Sequence, residues 1–526
     1  MAPRGSALYL KQLAVAQGTS NNVSSLPSPI GGWNARDSIA NMPITDAVIL
    51  ENFFPNVSNV TLRGGFVNHA TGLSGQVESL FSYNSGATEK LFAVDTSGKI
   101  YDVTAAGAVG AAEVTGLTNA RWEHQNVTTA GGGYLYAVNG VDAPLLYDGS
   151  TWVSITGVSV PAITGVTTTT LDNVTLFKNR VWFVQKNTLK AWYLPTSAIS
   201  GAAQALDLSS VAQLGGYIVG IGTWTVDAGY GVDDNLVFYT SRGEVIVYRG
   251  TDTSSAATWA LAGVWSLGDP VAKRCMMKYG GDILLLSVDG LIPLAAALQS
   301  SRLDPRIALT DKIQGAFVAA AKLYGSNFGW QIFVFPEQNA CWANVPVTVG
   351  TQQQYVMNTI TKAWCNFTGW AANCWEHLNS EAYFGGNGVV GKAWDTGYAD
   401  NVSDIATNAL QAFDYFESRG VEKIFVRARP TIFSDGVPTV GIGINTDYDL
   451  SDTTAALTFS PTSAGLWDTG LWDTALWGSG LSVTNNWQGV TGSGYNGAVH
   501  LKSASQGIQI EWASTDVVYQ AGWAGI

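Results

Sequence analysis

The sequence predicts an all-β fold arranged as a β-propeller, on three observations. The first is composition: 20 Trp, 20 Tyr and 19 Phe stand against 5 Met, with 59 glycines, in 526 residues. Aromatics favour pleated strands and glycine favours tight turns. The second is a recurring unit of apolar run, polar turn and apolar run, as in LFAVDTSGKIYDV, LVFYTSRGEVIVY and ILLLSVDGLIPLA. The third is spacing: clear units recur at roughly 40 to 55 residues, the size of a four-stranded propeller blade. Residues 76–400 then hold six or seven blades, with a β-sandwich or a string of unrelated hairpins as the competing arrangements.

Taken in chain order, residues 1 to about 30 are small, polar and unpatterned, a flexible or extended arm. In GGWNARDSIANMPITDAVILENFFPNVSNVTLRGGF, Thr45 is placed to cap a short helix, with Asp46 in its first turn and Pro55 ending it. Val-Thr-Leu-Arg then reads as a strand entering a Gly-Gly turn. In the three clearest hairpins the first apolar residue (Leu91, Leu236, Ile283) is followed seven positions later by Gly98, Gly243 and Gly290. Glycine there supplies the positive φ of a hairpin turn. Looser copies include RVWFVQKNTLKAWYL and YVMNTITKAWCNF. The blades lack the Gly-His start of WD40 repeats and the full Ser-x-Asp-x-Gly-x-Thr-Trp box of sialidases. From about 401 the texture changes, and QAFDYFESRGVEKIFVRARPTIFSDG reads as two strands paired around a charged turn. The chain thus divides into 1–75, 76–400 and an acidic β-rich segment, 401–526.

Charge limits function. Only 13% of residues are charged, about half the usual share, and the net charge is −13. Sparse charge on a large β-protein suggests surfaces buried against other subunits. Such a chain does not grip nucleic acid through phosphates, because that grip needs Lys and Arg to displace counterions. From Asp435 onward, Asp435, Asp447, Asp449, Asp452, Asp468, Asp473, Glu511 and Asp516 face one base, Lys502, a net of −7.

No chemistry-bearing motif emerges. The four histidines, His69, His124, His377 and His500, are scattered, so no metal site is expected. Cys275, Cys341, Cys365 and Cys374 form no CxxC pair and read as buried thiols, with a Cys365–Cys374 disulfide as the alternative. Glycosylation-type triplets at Asn22, Asn56, Asn59, Asn126, Asn173 and Asn401 read as turn composition. Glu376 and Glu381, flanking His377, read as solvated loop acids, and Asp233-Asp234 as a turn before the strand at Leu236. No GxSxG, P-loop or Rossmann fingerprint is present, no stretch is long enough to span a membrane, and neither catalytic residues nor cofactors are expected.

GLWDTGLWDTALWGSG, 465–480, places Trp467, Trp472 and Trp477 five residues apart. Five matches neither strand nor helix periodicity, so the segment reads as successive tight turns. The indoles pack within a small irregular unit or against a neighbouring subunit.

Three stretches carry a resemblance: the N-terminal segment through NFFP and Arg-Gly-Gly, then NLVFYTSRGEVIVYRGTD, then AFDYFESRGVEKIFVRARP followed by the Leu-Trp-Asp repeats. Together they resemble the tail nozzle (tail tubular protein B) and related tail hub, or DNA-stabilisation, proteins of short-tailed bacteriophages. The resemblance implies a propeller on a β-rich platform built from both chain ends. It also implies a structural, non-enzymatic virion protein of the tail, assembled in the host cytoplasm as a homohexamer. Its partners would be the head-to-tail adaptor below the portal, tail fibres or spikes, and double-stranded DNA passing without sequence-specific binding. Asp435, Asp447, Asp449, Asp452, Asp468 and Asp473 are then candidates for an acidic channel wall, and Trp467, Trp472 and Trp477 for a subunit interface. The competing function is a propeller that binds or degrades host glycans.

Overall fold

Seven inner strands follow one another around an axis. They begin at residues 77, 123, 171, 218, 276, 331 and 374, each packs on the next, and the last packs on the first. The computed structural model describes residues 21–522 apart from 87, 228–231, 254–257, 300–304 and 457–480. The chain is a seven-bladed β-propeller with added β-structure.

Each blade is an antiparallel meander. Blade 2 runs Glu123–Thr129, Gly132–Val138, Leu145–Tyr147 and Trp152–Ser154. Blade 3 runs Leu171–Phe177, Arg180–Gln185, Lys190–Tyr193 and Gln204–Asp207, and blade 4 runs Ile218–Asp227, Val232–Thr240, Glu244–Gly250 and Trp259–Ser266. Blade 5 has three strands, Met276–Tyr279, Asp282–Ser287 and Gly290–Pro293. Helices Leu294–Gln299 and Gln314–Tyr324 follow them. Blade 6 runs Gln331–Phe335, Ala340–Thr348, Thr351–Asn358 and Trp364–Phe367.

The long strand Gly65–Asn84 closes the ring. Its first half pairs with Asn387–Asp395 as the outer strand of blade 7, whose inner strands are Cys374–Leu378 and Glu381–Gly385. Its second half, 77–84, is the inner strand of blade 1 and pairs with Glu89–Asp95, which pairs in turn with Lys99–Asp102. One strand therefore belongs to both the first and last blades, so opening the ring between them would strip that strand from one ladder or the other.

The hairpin glycines sit where expected. Gly98, Gly243 and Gly290 have φ of +75°, +74° and +132°. A Cβ on Gly243 would stand 2.2 Å from the Leu267 carbonyl oxygen. Gly243→Ala is therefore expected to cost about 1–3 kcal/mol from the left-handed backbone alone, measured as a lowered thermal midpoint. A shift within error would show that the turn relaxes.

Beyond the propeller, a seven-stranded sheet joins Asn21–Pro27, Phe53–Pro55 and Val60–Leu62 to Lys423–Ser434, Ser482–Thr484, Gln488–Gly494 and Ile510–Ala521. Blade 6 is extended by a second set of strands: Gly32–Trp33, Asp46–Glu51, Ile405–Gln411, Gly497–Ser505, Val440–Thr446 and Ala455–Ala456. Phe53, Phe425, Ile442 and Trp512 from these strands share one core with Trp342, Trp370 and Trp375 of blades 6 and 7. The added β-structure and the propeller therefore pack as one body. Arg63 pins the junction: its buried guanidinium meets Asp400 at 2.8 and 2.6 Å, Asn52 at 2.8 Å and the Thr368 carbonyl at 2.6 Å.

Several expectations are corrected. Thr45 to Pro55 holds no helix but two strands, Asp46–Glu51 and Phe53–Pro55. The Asp46 carboxylate is taken by Asn34 at 2.8 Å and Lys312 at 2.7 Å, so it caps no helix turn, and the segment pairs with Ile405–Gln411 instead. The stretch QAFDYFESRGVEKIFVRARPTIFSDG is not a strand pair: it holds one strand, Lys423–Ser434, and only the last residue of Ile405–Gln411, and these two strands belong to different sheets. Asp233 and Asp234 lie inside the strand Val232–Thr240. Asn126 and Asn173 stand on inner strands and not in turns. All four cysteines are buried and free.

Candidate functional site: the propeller axis and the acidic turns

Inner strands present alternate residues to the axis, and here the axis is filled. Arg274, just before the inner strand of blade 5, reaches across the ring to blades 1 and 2. Its Nε donates to Glu123 at 3.2 Å, one terminal nitrogen donates to the Glu78 carbonyl at 3.1 Å, and the other to Ser79 Oγ at 2.7 Å and the Trp122 carbonyl at 3.0 Å. Phe328 lies under both Arg274 and Arg121, at 5.6 and 4.2 Å. Lys273 makes a second cross-ring tie, to Asp172 of blade 3 at 2.7 Å. A cavity of about 390 Å³ remains beside these groups, bordered by Glu123, His124, Thr175, Thr223, Met276 and Glu376.

Glu376 is the unexpected member. It stands on the inner strand of blade 7, not in a solvated loop, and its side chain is 16% exposed. Burial pushes its carboxyl up to about 7, partly offset by hydrogen bonds from Ser82 Oγ and the His377 amide. Burial pushes the neighbouring His124 down to about 4, and the Arg274 charge acts in the same sense while Glu123 opposes. Glu381, on the next strand of the blade, pairs with Lys392 at 3.4 Å. Sequence proximity could not separate these two acids, because only the fold turns one inward. Among the described residues no group of three or more His, Cys, Asp or Glu is placed to hold a metal ion.

The acidic turns lie elsewhere, on the added β-structure. Asp447, Asp449 and Asp452 occupy the connection between Val440–Thr446 and Ala455–Ala456, and Asp435 follows Lys423–Ser434. Asp449 and Asp452 each close a local turn through the carboxylate, whereas Asp435 and Asp447 tie their loops to distant segments. Asp435 accepts from the Gln509 amide at 2.8 Å, and Asp447 from the Tyr495 amide at 2.8 Å. Asp449 accepts from Ser451 at 2.7 and 3.0 Å, and Asp452 from Thr454 at 2.7 and 3.0 Å. The Ser451 hydroxyl and amide hold Asp449 below the usual carboxylate range. Lys502, at 2.7 Å, does the same for Asp452, with help from Thr454. Both stay ionised at neutral pH. None of the four borders the axial cavity. Asp468, Asp473, Trp467, Trp472 and Trp477 lie outside the described residues.

Arg63, Arg274 and Glu376 were missed as special residues. Arg63 stands in the Arg-Gly-Gly stretch, where the glycine pair was a usable signal. A Cβ on Gly65 would fall 1.9 Å from the Ala399 carbonyl oxygen, so only glycine lets the chain pass there. Arg274 and Glu376 carry no local signal.

No protein-family model matches the chain, and no curated protein matches it. Among solved structures, YCF48 from Cyanidioschyzon merolae is 13% identical with a TM-score of 0.36, over 62% of this chain and 98% of that one. The Cps50 (Swd1) β-propeller domain of Myceliophteria thermophila is 11% identical with a TM-score of 0.38, over 63% of this chain and 99% of that one. These likenesses concern the fold alone.

Proposed function

We propose that this chain is a structural virion protein: the nozzle of a short phage tail, assembled as a hexamer below portal and adaptor, that retains the packaged genome and guides its ejection. The observation that carries this reading is the joining of both chain ends, Asn21–Pro27 and Ile510–Ala521, in one sheet whose core continues into the propeller. That arrangement matches what the tail-nozzle resemblance implies.

The filled axis constrains how DNA would pass. A cavity of about 390 Å³ crossed by Arg274 cannot admit a duplex whose major groove alone is about 12 Å wide. The conduit therefore runs between copies and not through any propeller. Six copies of a −13 chain bring about 78 excess negative charges around it. Their repulsion reaches only about 8 Å at physiological salt, so it keeps the wall from sticking without sealing the channel. Asp449 and Asp452, held ionised by their partners, are the described acids best suited to such a wall.

The test is reconstitution with the portal and adaptor from the same genome, imaged as particles. Six copies on the adaptor around an acid-lined channel are expected, with no DNA retardation at physiological salt. A lone monomer, or a lumen lined with Lys and Arg, would overturn the reading.

A second reading, a glycan-binding or glycan-degrading propeller, draws on Glu376, whose raised carboxyl resembles a general acid. Sugars pack on exposed aromatic faces, yet Trp122, Trp375 and Phe333 beside the cavity are only 1%, 2% and 3% exposed. Turnover of host envelope polysaccharide would favour this reading over the first.

A further inference from the structure

The seam where the ring closes holds a pair of ionisable groups that no channel role requires. Glu376 of blade 7 accepts from Ser82 of blade 1 at 2.9 Å, and its other oxygen lies 3.5 Å from Nε2 of His124 on blade 2. Both side chains are largely buried, 16% and 20% exposed. The surrounding charges are already engaged. Arg274 is held by Glu123, Lys273 by Asp172, Arg121 by Glu78 and His377 by Glu337. From blade 6, Gln331 gives both ends of its amide to the Trp375 backbone. Phe81 covers the imidazole with ring centres 5.3 Å apart. Arg274, Glu123 and His377 act on the pair from farther off and Lys278 also borders the cavity, but among the described residues Glu376 and His124 have only each other within ion-pair distance.

We propose that Glu376 and His124 hold one proton between them, resting on the carboxyl, and that this pair is a proton-compensated latch across the propeller seam. With no proton the pair would bury a carboxylate, and with two it would bury an imidazolium; only the one-proton state leaves no net charge in a poorly solvated site. The opposed displacements of the two groups, Glu376 up to about 7 and His124 down to about 4, agree with that state.

The linkage has a distinctive form. The Glu376 contribution to the closed seam is full below its ordinary value of 4.5 and is lost as pH rises through about 7. The His124 contribution is full above its ordinary value of 6.5 and is lost as pH falls through about 4. The two windows overlap with opposite sign. The intact pair therefore keeps the seam nearly indifferent to pH, and removing either member exposes the other.

The experiment is hydrogen exchange on the full chain, corrected for intrinsic rates, read in Glu123–Thr129 and Cys374–Leu378 from about pH 5 to about pH 7. Wild-type opening is expected to change less than about threefold. In His124→Asn, opening should rise by up to about tenfold per pH unit, and in Glu376→Gln it should fall by a similar factor. A steep wild-type slope, slopes of the same sign, or variants that track wild type would each overturn the proposal. If either variant fails to fold, nuclear magnetic resonance of the wild-type His124 imidazole decides. A neutral ring near pH 5.5 supports the latch, and a protonated ring there overturns it.

Discussion

Arg63→Met is expected to destabilise the junction between the propeller and the added sheets by about 3–5 kcal/mol, the range for removing one partner of a buried ion pair. The guanidinium is fully buried and Asp400 is 12% exposed. Methionine keeps the aliphatic bulk but takes the guanidinium donors from the Asp400 carboxylate and the Thr368 carbonyl, while the Asn52 amide oxygen keeps only the Thr368 amide. Lysine would not rescue the site, since one ammonium cannot reproduce a bidentate contact while also stacking on Trp370, 4.9 Å away. The readout is the first unfolding transition in urea, because a chain of this length does not unfold in one step. A loss below about 1 kcal/mol would show that solvent reaches Asp400 and that the junction is held by its aromatic core alone.

That residue also marks the boundary of what was readable in the sequence. Hairpin glycines are local: Gly98, Gly243 and Gly290 announce a turn because left-handed backbone excludes other residues within a few positions of the same chain. Their recurrence gave the blade spacing, and the spacing gave the propeller. Pairing partners are not local. Ile405–Gln411 and Lys423–Ser434 look like a hairpin from their order, yet each finds a better ladder with a distant strand, Gly497–Ser505 or Ile510–Ala521. The same competition turned Asp46–Glu51 from an expected helix into a strand, since tertiary pairing overrides a weak cap. Helix Gln314–Tyr324 had a readable signal, the run Ala-Phe-Val-Ala-Ala-Ala-Lys-Leu, rich in helix formers. The candidate site was the least legible part. Glu376 and Glu381 differ by five positions and by nothing else in their type, and only the closure of seven blades buries one and leaves the other at a surface ion pair.

Arg274→Met is expected to cost a similar amount, about 3–5 kcal/mol, and to act in a different place. Arg274 ties blade 5 to blades 1 and 2 through four acceptors, two of them main-chain carbonyls of the Gly65–Asn84 strand and the Glu123 region. Much of the expected loss comes from stranding Glu123, which has no other cation within ion-pair distance among the described residues. Glu123→Gln in the same chain should therefore recover part of it, so the double variant should lose less than the two single losses combined. If the losses simply add, Arg274 acts through its carbonyl contacts and the charge pair is incidental. Hydrogen exchange in 77–84 and Met276–Tyr279 should rise in the single variant, while the strands around Arg63 stay protected. Such a separation would mean that the axis and the junction with the added sheets are stabilised independently, so that one could soften without loss of the other.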